Sequence, residues 1–228
     1  MTNAEFTASY LKARGLAFRP YSAAIDEELS PEYPLCFYEF TCGAKFYALA
    51  PGLEDAIGPV LQERPASYDS LLRFAFAPGV RAEKESVLGY YLRGPSRTGQ
   101  RKLVRLHSGH LPAVAALRRA VSPREWALGG VDLRDPFCYG LFEGGLLVCA
   151  AGAEIFGGLA EVSVLTHPAF RGRQLAKHAV FELCGLVCQA GLVPLYRCES
   201  ENQASIRTAL SLDLAPAFRM TGGRLSYR

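Results

Sequence analysis

The sequence lacks any apolar run long enough to cross a bilayer. Its most apolar stretch, Leu146 to Ala153, is far short of the ~20 residues a spanning helix needs. It also lacks a basic block, and a net charge of +3 over 228 residues gives no electrostatic case for nucleic acid or a membrane surface. The start, Met-Thr-Asn-Ala-Glu-Phe, does not carry the basic-then-apolar pattern of a secretory signal. There is no internal repeat and no low-complexity tract. None of the seven cysteines forms a Cys-x-x-Cys pair, and the histidines do not complete a zinc set. Most of the cysteines sit in apolar stretches, where a reduced thiol behaves as a small hydrophobe. Cys184 and Cys188 share a helix face, but two ligands do not make a metal site. The expectation is a cytoplasmic protein with reduced core cysteines and no metal.

Half of the residues are hydrophobic, enough for a real core. The composition shifts at 94–100, Gly-Pro-Ser-Arg-Thr-Gly-Gln, a stretch of turn formers without periodicity. That shift predicts an N-terminal α+β domain over 1–97 and a second domain over 98–228. In the first, helices are expected at Ala4–Arg14, Leu53–Gln62 and Tyr68–Phe76, a hairpin at Leu35–Thr41 and Lys45–Leu49, and a strand at Ser86–Leu92. No chemistry is legible there.

The second half reads more clearly. Lys102–Leu106 is a strand and Leu111–Ala120 a helix. Ser122-Pro123-Arg124-Glu125 opens another helix, with serine as N-cap, proline in the first turn and glutamate placed for a capping box. Phe137–Phe142 and Leu146–Ala151 flank Glu143-Gly144-Gly145, a tight hairpin signal. A strand Leu159–Thr166 ends before Pro168, and Gly172–Ala190 forms a long helix closed by Gly191. A strand Leu195–Cys198, a helix Asn202–Leu212 and a final extended stretch follow.

The informative segment is Val162 through Lys177, a β-branched strand that passes a proline-marked turn into a glycine-containing loop and a long helix. The first amides of a helix have no internal partner, and the helix dipole adds partial positive charge at that end. Gly172 lets backbone approach a ligand, while Arg171 and Arg173 add full charges. This suits a pyrophosphate. The alternative from the residues alone is a plain strand–turn–helix with solvated arginines.

Thr166-His167-Pro168-Ala169-Phe170-Arg171-Gly172-Arg173-Gln174-Leu175-Ala176-Lys177 resembles motif A of the GNAT superfamily of N-acetyltransferases. That motif, Gln or Arg, two residues, Gly, one residue, Gly or Ala, maps onto Arg171 to Ala176. Glu201-Asn202-Gln203-Ala204-Ser205-Ile206 resembles the family's start of the following helix. The resemblance covers about residues 101–228 and implies a mixed α/β fold, a mostly antiparallel sheet flanked by helices. It implies acetyl-CoA as acyl donor, with the pyrophosphate held by Arg171, Gly172, Arg173, Gln174, Leu175, Ala176 and Lys177. Val164, Leu165 and Thr166 would hold the acyl end, and Asn202 and Ser205 would border the pantetheine arm. The sequence departs from the family at three places. The motif's central glycine is Gln174, whose side chain either crowds the pyrophosphate or offers it an amide. The family's tyrosine acid is Ala209. The usual Leu-Gly-Phe is Leu212-Asp213-Leu214, where aspartate tolerates the left-handed conformation.

The implied reaction is direct attack of a substrate amine on the thioester in a ternary complex, with a strand amide near Val164 or Leu165 polarising the carbonyl. An alkylamine of pKa about 10.4 needs roughly 4–5 kcal/mol to deprotonate at neutral pH. Glu161 is the candidate base, against a solvated or arginine-paired glutamate. Ser205 is a secondary candidate for a catalytic role. Tyr196 reads as a core residue as readily as an acid, and His167 as a loop-stabilising residue. The partners are then a coenzyme A thioester and an amine of a small molecule or peptide. The N-terminal half is read as a decayed second acyltransferase-like copy, a wall of the acceptor pocket, or the interface of a homodimer. A coenzyme-binding sensor with little turnover is the alternative function.

Overall fold

The computed structural model describes residues 1–76, 79–93 and 103–226. The linker expected at 94–100 lies outside these. Two compact units are present, each built from separated stretches of chain. One comprises Thr2–Gly89, Cys198–Asn202 and the C-terminal stretch from Pro216, and the other Tyr90–Arg197 and Gln203–Ala215, with Met1.

In the first unit, helix α1 (Asn3–Ala13) starts in a complete capping box, with Thr2 N–H donating to Glu5 at 2.6 Å and Glu5 N–H to Thr2 Oγ1 at 3.2 Å. Strand β1 (Tyr21–Ile25) follows, then β2 (Leu35–Phe40) and β3 (Lys45–Leu49) as the expected hairpin around Gly43, whose φ is +90°. Helices α2 (Ile57–Glu63) and α3 (Tyr68–Ala75) lead to β4 (Arg81–Tyr91). The strand order is β1-β3-β2-β10-β4, where β10 (Ala215–Ser226) is the C-terminal strand. β1 runs parallel to β3, and β10 antiparallel to β2 with Phe218 opposite Phe40. The sequence reading placed the last extended stretch with the second domain; its partner is instead β2.

Both faces of β2 are covered, so its apolar pattern is nearly continuous rather than alternating. Leu35 and Phe37 pack with Tyr47, Val60, Tyr68 and Leu71 on one face. On the other, Phe218 stacks against Tyr10, Tyr38 and Phe40 at centroid distances of 5.1 to 5.6 Å. Gly89 makes room for this ring, since a Cβ there would lie 2.5 Å from it.

Arg14, at the end of α1, is half-buried against that aromatic cluster. Its guanidinium lies over the rings of Tyr10, Tyr38 and Phe46 at 5.4, 5.6 and 5.7 Å and pairs with Asp26 at 2.6 Å. Asp26 therefore carries the charge balance for this face of the unit.

In the second unit the order is β9-β8-β7-β6-β5. β5 (Val104–Arg105) precedes α4 (Leu111–Ala120) and α5 (Pro123–Gly129). β6 (Phe137–Glu143), β7 (Leu146–Phe156) and β8 (Leu159–Thr166) form an antiparallel meander. The first turn takes its left-handed residues from Gly144 and Gly145, at φ +56° and +81°. Helix α6 (Leu175–Gln189), strand β9 (Val193–Glu199) and helix α7 (Gln203–Ser211) follow. Leu165 of β8 packs with Val114, Leu117, Cys138, Leu147 and Ala150 under α4, while α6 packs against β6, β7 and β8. Each unit is thus a mixed, mostly antiparallel sheet with helices on it.

None of the seven cysteines is in a disulfide. Burial pushes the Cys138, Cys149 and Cys198 thiols up to about 11 and Cys184 up to about 12, so they are packing groups rather than nucleophiles. No helix among the described residues is long and apolar enough to cross a membrane.

Removing Arg14 leaves the Asp26 carboxylate in a largely dry site and opens a gap between three rings. Arg14→Ala is expected to lose about 2–3 kcal/mol of stability, below the value for a fully buried pair because the site is partly wet. Urea denaturation measures this, and a loss under about 0.5 kcal/mol would show the pair to be incidental.

Candidate functional site

β8 is where the second unit changes character. It runs antiparallel to β7 along its whole length, but its parallel pairing with β9 covers only Leu159 to Val162, opposite Val193 to Tyr196. Ser163, Val164, Leu165 and Thr166 continue without β9, so a gap opens at that edge. Tyr196 sits at its base as a buried strand residue. Leu165 turns its side chain into the core beneath α4, leaving only its backbone for the gap.

α5 closes on the same segment. A Cβ on Gly129 would stand 2.5 Å from the Val164 carbonyl oxygen, so only glycine permits this approach. Ser163 donates its hydroxyl to Gly130 O at 3.2 Å.

Beyond β8 the chain makes one turn of 3₁₀ helix, Pro168–Phe170. His167 holds it: its Nδ1 accepts from Ala169 N–H at 3.2 Å, and its ring meets Phe170 edge-on at 5.4 Å. It is a loop-stabilising residue. Arg171 N–H is used by Pro168 O. Gly172 then adopts φ +76° and Gln174 φ +58°, ψ +19°. The place where the GNAT motif has its central glycine thus requires a left-handed backbone, and Gln174 adopts it at a cost of about 1 kcal/mol. The sequence reading weighed the glutamine's bulk and its side-chain amide, not its backbone.

Gln174 is also the N-cap of α6, and its side chain makes no capping bond. His178 is the first amide of the helix to reach a main-chain acceptor, Gln174 O at 3.0 Å. No acidic residue occupies the first turn, so nothing there opposes an anion. Leu175 is buried and contributes a backbone amide only; Ala176 and Lys177 are half-buried in the same turn. Loop and helix N-terminus together form a basic, uncapped cradle.

The two arginines are engaged. Arg171 donates to Glu125 Oε1 at 2.7 Å and to Thr166 O at 3.4 Å. Arg173 pairs with Glu143 at 3.4 Å and lies over the Phe170 ring at 4.8 Å. Glu125 is held below the usual carboxylate range by the Ser122 N–H first, then by the Ser122 hydroxyl and Arg171. Its N-cap role was legible from sequence; its pairing 46 residues away was not.

Glu161 lies on β8 one residue before the β9 pairing ends. Both its oxygens accept from Arg197 of β9, Nε to Oε1 and Nη2 to Oε2, each at 2.6 Å. It is the arginine-paired glutamate weighed above. Ser205 is the third residue of α7, which packs on α6, whereas Asn202 belongs to the other compact unit. Ala209 is fully buried, so the helix position that carries an acid in the family offers none here. Among the described residues no group of three or more His, Cys, Asp or Glu could hold a metal ion.

No family model matches the chain, and no curated protein matches it in sequence. Solved structures do. A GNAT-family acetyltransferase from Novosphingobium aromaticivorans shares 27% identity at a TM-score of 0.55, covering 80% of this chain and 84% of that one. The fold of the chain is that of GNAT-family acetyltransferases. Two further structures match in fold. One is an acetyltransferase of that family from Colwellia psychrerythraea, at 15% identity and a TM-score of 0.56 over 79% of this chain and 76% of that one. The other is a GCN5-related N-acetyltransferase from Sphaerobacter thermophilus, at 15% and 0.53 over 79% and 72%. A likeness over 80% of the chain exceeds either compact unit alone.

The left-handed cap yields a stability prediction. Gln174→Ala keeps the strained backbone, while Gln174→Gly relieves it, so the glycine variant should be the more stable by about 1 kcal/mol. Thermal denaturation of the two variants decides this; equal stability would mean that the left-handed cap is not adopted in solution.

Proposed function

We propose that the protein is an acetyl-CoA-dependent N-acetyltransferase that moves an acetyl group to an amine of a small molecule or peptide. The observation that carries this reading is the uncapped N-terminus of α6 beside a β8 segment that has parted from β9. In this reading the amides from Gly172 to Lys177 hold the coenzyme diphosphate, with Arg173 supplying charge from the hairpin side. The thioester then reaches the gap beside Ser163–Thr166, where a backbone amide at Val164 or Leu165 polarises its carbonyl. Ser205, near the start of α7, borders the pantetheine arm.

The acceptor amine attacks directly, and the enzyme's share of the rate comes from positioning and from the fixed amide dipole. Glu161 is the proposed proton acceptor. Its bidentate pair with Arg197 means that the incoming ammonium must compete with a guanidinium for the same oxygens. With Ala209 buried and apolar, water or the thiolate's own low basicity serves the leaving group. The buried alanine and the glutamine cap also favour a second reading, an acyl-CoA-binding sensor with little turnover.

Acetyl-CoA should raise the melting temperature and give a measurable heat of binding, and Arg173→Ala should weaken that binding. Thiol release across a panel of amines then separates the two readings: turnover on any amine supports the transferase, and stabilisation without release supports the sensor. No binding by any coenzyme A species to folded protein would end both. For the transferase, Glu161→Gln should lose turnover at neutral pH and regain it as pH rises towards the amine's own pKa. A pH profile of unchanged shape would remove Glu161 as the base.

A further inference from the structure

α5 is held at both ends by different parts of the proposed site. Its C-terminal end rests on β8 through the close approach of Gly129 to Val164 O and the Ser163–Gly130 hydrogen bond. Its first turn is held by Glu125, whose two oxygens do different work. Oε2 accepts from Ser122 N–H at 2.8 Å and from the Ser122 hydroxyl at 2.9 Å, which completes the helix cap. Oε1 receives Arg171 at 2.7 Å from the phosphate loop. One carboxylate therefore joins the start of this helix to the loop that precedes α6.

We propose that Arg171 is a positioning residue shared between Glu125 and the coenzyme diphosphate, so that coenzyme binding detaches the first turn of α5 from the loop. This rests on the reading of the α6 N-terminus as a diphosphate site. The Arg171–Glu125 pair is half-exposed, with side chains 48% and 38% accessible, where an ion pair contributes only up to about 1 kcal/mol. A diphosphate carries more charge and more acceptor oxygens than one carboxylate oxygen, and a guanidinium matches its geometry. The transfer is thus downhill for Arg171. Glu125 keeps Ser122 through Oε2, so the helix cap survives and only the tether is lost. α5 borders the Val164 segment, so the wall of the gap becomes free to adjust once the coenzyme is seated.

The test uses the full-length protein and acetyl-CoA. Hydrogen exchange at the amides of 124–127 should become faster on saturation with acetyl-CoA, while the amides of Gly172 to Lys177 become slower. Glu125→Gln keeps a capping side chain but gives up the ion pair. It should tighten acetyl-CoA binding by about two- to five-fold in calorimetry, and the gain should vanish when Arg171→Gln is also present. Exchange in α5 that is unchanged or slower with coenzyme bound overturns the proposal, as does a Glu125→Gln gain that persists without Arg171. Protection of the loop amides without a change in α5 would leave the coenzyme site standing and remove only the Arg171 transfer. If Glu125→Gln does not fold, the exchange experiment on the unaltered protein still decides.

Discussion

The first amides of α6 have no acceptor within the helix, and the chain supplies no side chain to cap them. Everything proposed for this protein depends on that omission. Three helices of the same chain start in reciprocal boxes, Thr2 with Glu5, Ser67 with Ser70, and Ser122 with Glu125, while α2 and α4, which continue from 3₁₀ turns, have no side-chain cap either. The helix that follows β8 instead begins at a left-handed glutamine that leaves its donors pointing outward. What sets α6 apart is that its uncapped start also carries a left-handed, non-glycine residue, a strained backbone that motivates the proposed ligand site.

The ion pairs of the chain differ in burial. Arg14–Asp26 in the other unit is half-buried against aromatic rings, and its contribution is to stability. Arg171–Glu125 and Arg173–Glu143 are exposed and individually weak, which lets the loop's positive charges be kept in place and yet remain transferable to an anion. Glu161–Arg197 is intermediate. It joins β8 to β9 next to the last paired rung, so it also holds the two strands together directly below the point where they part.

The division of the chain into units has a simple physical origin. A strand is placed by its hydrogen-bond partners, not by its position in sequence. β10 completes the ladder beside β2, and its Phe218 fills the space that Gly89 leaves open. A boundary inferred from the composition of 94–100 could not anticipate that the end of the chain returns to its beginning.

Much of the second unit was legible from short-range pattern. The Ser122–Glu125 box, the Gly144–Gly145 turn, the strand ending at Thr166 and the glycine closing α6 are settled by residues within a few positions of one another, where local sterics and hydrogen bonding suffice. The motif from Arg171 to Lys177 also located the turn that leads into α6. β1 went unread because Tyr21–Ile25 is short and weakly alternating, and becomes a strand only by lying alongside β3. Contacts between distant residues were decided by the fold alone: Arg171 with Glu125, Arg197 with Glu161, Ala209 sealed in the interior, and the left-handed backbone at Gln174. Sequence set where the amides of α6 would start; packing decided which carboxylates its neighbouring arginines would meet, because those partners are brought near only when the sheet has formed.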